Sequence, residues 1–155
     1  MITLEQVIVI IPILALSASI TYYALTIRNQ NRTRQVQMFM NLYSTYSSPQ
    51  FRRRYNDIAF NRAYENYDDF WEKYGPVRNP EAFASWTSVA AFFQGLGVLV
   101  RKGLIDIGLV HDFLGSVITE TWEAMSPAFL ESRKINQIIL WPDFEYLYNE
   151  LKKFS

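Results

Sequence analysis

At 155 residues and 18.2 kDa the chain has room for one compact domain plus an extra segment, and too little for two ordinary domains. Fifteen basic and fifteen acidic residues cancel to a formal net charge of zero, so no global field points to nucleic acid or another polyanion. The absence of cysteine removes disulfide frameworks, thiolate metal sites and cysteine nucleophiles together, while an aromatic content of 16% promises a well-filled core.

From Val7 to Ile27 the chain reads VIVIIPILALSASITYYALTI, without a charge. A bilayer core about 30 Å thick needs about 20 apolar residues in a helix, and this run supplies them. Arg28, Arg32 and Arg34 follow it, and basic flanks stay on the cytoplasmic side. The pattern therefore predicts a single-pass protein of the cell membrane: residues 1–6, carrying Glu5, outside; residues 7–27 as the transmembrane helix; residues 28–155 as a cytoplasmic helical domain. Tyr22 and Tyr23 sit where amphipathic rings favour the interface. A cleaved signal peptide would carry a basic leading region and an apolar run of about 7–15 residues; this segment opens with an acid and runs longer. A buried helix of a soluble domain would need extensive cover on every side. Within the span, Ala15 and Ser19, then Ser17 and Thr21, repeat small residues at four-residue spacing, which lets a helix from another subunit or another copy approach closely. Pro12 is tolerable there.

Beyond the span no Gly or Pro appears until Pro49, and Val36, Phe39, Met40, Tyr43 and Tyr46 recur at helical spacing, so the first helix continues out of the membrane. Ser48 as cap and Pro49 as first residue open a second helix with Phe51, Tyr55 and Ile58 on one face. A short helix near Asp68–Tyr74 stops at Gly75-Pro76. Asn79-Pro80-Glu81 opens a long one with Phe83, Trp86, Ala90, Phe93 and Val100 on a stripe, ended by Gly103. Asp106 caps the next, which carries Val110, Phe113, Val117 and Ile118 and is expected to run out at Ser126-Pro127, where a further helix begins. Trp141-Pro142-Asp143 starts the last, with Phe144, Leu147, Tyr148 and Leu151 aligned before Lys152 and Lys153. Only GVLVRKG is short and branched enough to be a strand, and it has nothing to pair with. The fold class is all-α, a transmembrane helix continuing into a cytoplasmic helical bundle.

Charge is unevenly spread. Arg28, Arg32, Arg34, Arg52, Arg53 and Arg54 come without an acid, whereas Asp57, Glu65, Asp68, Asp69 and Glu72 face only Arg62. Arginines close to a cytoplasmic leaflet gain about 1 kcal/mol each from anionic lipid, which suits Arg28, Arg32 and Arg34. Arg52 to Arg54 read first as a solvated face paired with the acidic stretch, then as a lipid or partner site. His111, the lone histidine, stands beside Asp112 with no recognisable nucleophile motif. Glu120 and Glu123 lack the Glu-x-x-His pairs of a di-metal site and read as surface residues. Gly95-x-Gly97 lacks the third glycine of a dinucleotide loop and reads as a close helix crossing. No catalytic residue, metal ligand or cofactor site is assigned.

The order LYSTYSSPQFRRRYNDI, FFQGLGVLVRKGLIDIGLVHDFLG and TWEAMSPAFLESR resembles the prokaryotic membrane-anchored family known as domain of unknown function 4760. The resemblance covers most of residues 20–135, rests on packing residues such as Phe51, Leu96, Gly97, Leu104 and Trp122, and leaves the last helix outside. It implies an all-helical, membrane-tethered domain and carries over no catalytic residue.

Together these readings lead to an expectation of a non-enzymatic accessory or scaffold subunit of a membrane complex. Ala15, Ser17 and Ser19 would pack in the bilayer and Arg28, Arg32 and Arg34 would lie at its surface. The alternative is a membrane-tethered regulator in which Arg52, Arg53 and Arg54 respond to anionic lipid or a cytoplasmic partner. Nucleic acid is not expected as a partner.

Overall fold

The computed structural model describes residues 4–61 and 64–154, and among them lie six α-helices, a closing 3-10 turn and no strand. Arg62, set above against the acidic stretch, lies outside the described residues, as do residues 1–3 and the side chain of Glu5. The helices are α1 (Leu4–Ser47), α2 (Pro49–Asn61), α3 (Tyr67–Tyr74), α4 (Pro80–Arg101), α5 (Ile107–Asn136) and α6 (Pro142–Leu151). They divide between two compact units, residues 1–37 and 38–155, with α1 contributing to both.

The first unit is the apolar part of α1. The helix passes Ile27 without a break, as the lack of Gly and Pro predicts, and its most apolar window has a mean hydropathy of 2.1 with no residue buried. Pro12 is accommodated within it. Ser17, Ser19 and Thr21 donate their hydroxyls to the carbonyls of Ile13, Ala15 and Ser17 at 2.8–2.9 Å, so they present no unsatisfied donor to an apolar surrounding.

The second unit packs the remaining helices around one core. Phe39 and Tyr46 of α1 are buried there, while Met40, from the same predicted stripe, is half exposed, as is Val36 in the first unit. Ser48 Oγ accepts the Phe51 amide at 3.2 Å, and α2 turns Phe51, Tyr55 and Ile58 inward. Asn66 and Asn79 cap α3 and α4 by accepting the amides of Asp69 and Ala82. GVLVRKG belongs to the end of α4 and the turn after it, where Gly103 takes a φ of 68° that closes the helix. Although α4 is itself apolar enough to span a bilayer by length and composition, Trp86, Val89, Phe93 and Leu96 lie in the core. Burial of each such side chain stabilises the fold by about 1.5–3 kcal/mol. Phe113 of α5 is half exposed, yet its ring lies 5.3 Å from Phe39 and 5.5 Å from Tyr43.

One boundary differs from expectation. No new helix begins at Ser126-Pro127: α5 runs 30 residues through Pro127. Proline removes one helical donor and crowds the carbonyl one turn back, a cost of about 3 kcal/mol in a helix interior. Packing on both sides of the proline offsets it, because Trp122 and Met125 before it and Ala128, Phe129 and Ser132 after it are all buried. Pro127 itself faces outward, and nearby the Tyr64 hydroxyl donates to the Ala124 carbonyl at 3.3 Å.

Candidate functional site

The predicted positions fall into separate regions. Ala15, Ser17 and Ser19 are exposed on α1, and Arg28, Arg32 and Arg34 are exposed further along the same helix. The triplet on α2 is split by its environment. Arg52 donates to the Tyr46 hydroxyl and lies 5.2 Å above the Tyr46 ring and 5.3 Å above that of Tyr55, so its guanidinium is a packing element of the core edge. Burial raises the hydroxyls of both tyrosines above the ordinary range, with the Arg52 charge pulling the other way. Arg53 is exposed, and Arg54 reaches Ser88 Oγ at 3.4 Å.

His111 stacks on Phe154 with centroids 4.7 Å apart, and its Nδ1 lies 3.3 Å from Asp112. Glu123 receives Lys152 at 3.0 Å and the Tyr148 hydroxyl at 3.2 Å, and these contacts hold its carboxyl below the usual range, Lys152 first. The pair ties α5 to the C-terminal turn. Among the described residues no three carboxylates or imidazoles gather to hold a metal ion.

Two features escaped the sequence pattern. One is a polar junction between α4 and α6. Gln94 Oε1 accepts the amides of Asp143 at 2.9 Å and Phe144 at 3.1 Å, capping α6 from a neighbouring helix where Trp141, in the N-cap position, makes no side-chain cap. Gln94 Nε2 returns a bond to the Asp143 carboxylate at 2.7 Å, and Arg101 closes the other oxygen at 2.5 Å. Asp143 is only 8% exposed, so this satisfaction is what permits its charge there.

The other is an apolar cavity of about 270 Å³ in the second unit, walled by Phe70, Trp71, Phe83, Trp86, Phe129 and Trp141 and contributed by α3, α4, α5 and the segment before α6. Ser132 and Asn136 supply polar groups at its lining, and no charged side chain takes part. A wider, open depression of about 700 Å³ lies beside α2 and α5, bordered by Glu65, Asp68 and Glu131. The density of Trp and Phe from residue 70 to 86 was visible in the sequence; that their rings leave a space was not.

Residues 13–151 match the family described as a domain of unknown function, DUF4760. The chain belongs to the DUF4760 family. The DUF4760 match extends beyond the resemblance read from sequence, taking in α6 and much of the apolar part of α1. Every residue of the aromatic cavity and of the Gln94–Asp143–Arg101 junction lies within it. Neither the curated proteins nor the solved structures yield a match.

Proposed function

We propose that this DUF4760 protein is a membrane-tethered accessory or scaffold subunit without catalytic activity of its own. In this reading the apolar part of α1 spans the cell membrane once, with the N-terminus outside and residues 28–155 in the cytoplasm. The observation that carries the reading is the uncovered apolar length of α1: Ile8, Ile11, Leu14, Leu16 and Ile20 are each about 60% exposed, a surface that water does not tolerate and lipid does. Arg28, Arg32 and Arg34 set the orientation through the retention of basic flanks on the cytoplasmic side. Ala15 and Ser19, one turn apart, offer a low-relief face against which a partner helix packs, and Ser17 with Thr21 offers a second; the serine hydroxyls are already bonded to their own helix. Purification of the full-length protein from its native membrane in mild detergent, followed by mass spectrometry, tests the role. A fixed set of membrane proteins at constant stoichiometry is expected, diminished when Ala15 and Ser19 are changed to leucine; a lone monomer in both cases contradicts it.

A second reading, a regulator that responds to anionic lipid, draws support from the exposure of Arg53 and Arg54. Salt-dependent effects of anionic lipid that vanish in Arg53→Ala/Arg54→Ala favour that reading, and salt-insensitive behaviour counts against it.

A further inference from the structure

We propose that the aromatic cavity of the second unit is a binding site for a neutral, planar lipophile of one or two rings that presents a carbonyl oxygen to Ser132. Size sets the first limit. An apolar cavity of roughly 150 Å³ accommodates benzene, so about 270 Å³ suits a ligand of one or two fused rings. Shape and chemistry set the second: the walls are rings, disposed so that Phe70 meets Trp86 edge to face at 4.7 Å and Trp71 tilts 34° from Phe83, an arrangement that receives another ring by offset or edge contacts. A cation would also favour ring faces, but no carboxylate lines this cavity, and a desolvated cation without a counter-charge is costly.

Ser132 supplies the specificity. Its residue is 5% exposed, and its Oγ accepts from Asn136 Nδ2 at 3.1 Å. The hydroxyls of Ser17, Ser19 and Thr121 donate to the carbonyl one turn back, but among the described residues nothing accepts the proton of Ser132. A buried hydroxyl with a committed lone pair and an uncommitted proton is a donor awaiting an acceptor. A carbonyl oxygen on an otherwise apolar ligand completes it.

The backbone adds an independent sign. Trp141 stands at φ 56°, ψ 50° with no cap bond in return, an unusual conformation for a bulky residue, and that conformation places it at the cavity wall. The segment it closes also brings Leu140 to the cavity wall.

The test uses the full chain in lipid nanodiscs, with naphthoquinone as the probe. Trp71, Trp86 and Trp141 are three of the four tryptophans and all line the cavity, so quenching reports occupancy, and the lack of cysteine removes thiol addition as a side reaction. Saturable quenching is expected, abolished in Thr87→Phe, whose added ring occupies the space, and about tenfold weaker in Ser132→Ala, the loss of one hydrogen bond to a buried hydroxyl. Naphthalene, which lacks an acceptor, should displace the probe equally well from both the original protein and Ser132→Ala. Helical circular dichroism identifies any variant that fails to fold. Quenching that rises linearly and identically in all three proteins overturns the proposal. Equal weakening of naphthoquinone and naphthalene by Ser132→Ala overturns the role of the hydroxyl, and tighter displacement by a decyltrimethylammonium cation than by naphthalene overturns the neutral class.

Discussion

Gly97 of α4 meets the backbone of Asp143 at the start of α6 so closely that a Cβ at position 97 would lie 2.0 Å from the Asp143 carbonyl oxygen. The contact fixes where α6 crosses α4, and backbone cannot swing aside as a flexible side chain does. Gly97→Ala is therefore expected to destabilise the protein by about 1–3 kcal/mol or more through overpacking, read as a loss of several degrees in Tm. Gly95, two residues away, has nothing within 4 Å of the same position. Gly95→Ala should move Tm the other way, a gain of about 0.5–1 kcal/mol from helix propensity. Thermal melts of the two variants side by side check both signs.

The crossing is reinforced by Gln94, whose side chain holds two amides and a carboxylate of α6. Gln94→Ala strands those amides and weakens the support of a charge that is nearly buried. A loss of about 2–3 kcal/mol is expected, and denaturant unfolding measures it. Gln94→Glu should be nearly as harmful, because its carboxylate faces that of Asp143.

Pro127 presents the opposite case. It faces solvent within α5 and contributes no core contact, so Pro127→Ala restores a helical donor where packing already enforces the helix. The variant should gain about 1–3 kcal/mol. A loss would show that the proline itself shapes the helix that walls the aromatic cavity.

Burial raises the hydroxyls of Tyr46, Tyr55 and Tyr64 in the folded protein. The neutral form is favoured in the fold, so the folded state keeps these protons when the unfolded chain has begun to lose them above about pH 10. Stability is independent of these groups below that pH and falls as pH rises through the folded values. Melting temperatures measured across the alkaline range, with tyrosinate absorbance followed in parallel, should show a tyrosine fraction that ionises only on unfolding.

Much of this architecture was legible because its signals are local. The caps at Ser48, Asn79 and Asp106 and the breaks at Gly75 and Gly103 act through the chain next to them, so their helices begin and end where the sequence indicates. Gly97 was readable as a crossing once a phosphate loop was set aside. Pro127 misled because the local rule lost to packing by residues on either side of it. The arginine triplet illustrates another limit: three identical letters in a row point in different directions on a helix, and only the neighbouring tyrosines decide that Arg52 is held while Arg53 is exposed. The cavity was invisible for the same reason in stronger form, since a space between four segments has no signature in any one of them.

The central claim, a single tether with the helical domain inside, is tested most directly by placing a reactive thiol on either side of the span. The chain has no cysteine, so Gln6→Cys and Lys153→Cys each introduce a unique label site. In intact cells a membrane-impermeant maleimide should label Gln6→Cys at once and Lys153→Cys only after the membrane is opened, with both proteins staying in the membrane fraction through alkaline carbonate extraction. Release into the soluble fraction, or labelling of Lys153→Cys in intact cells, would contradict the account.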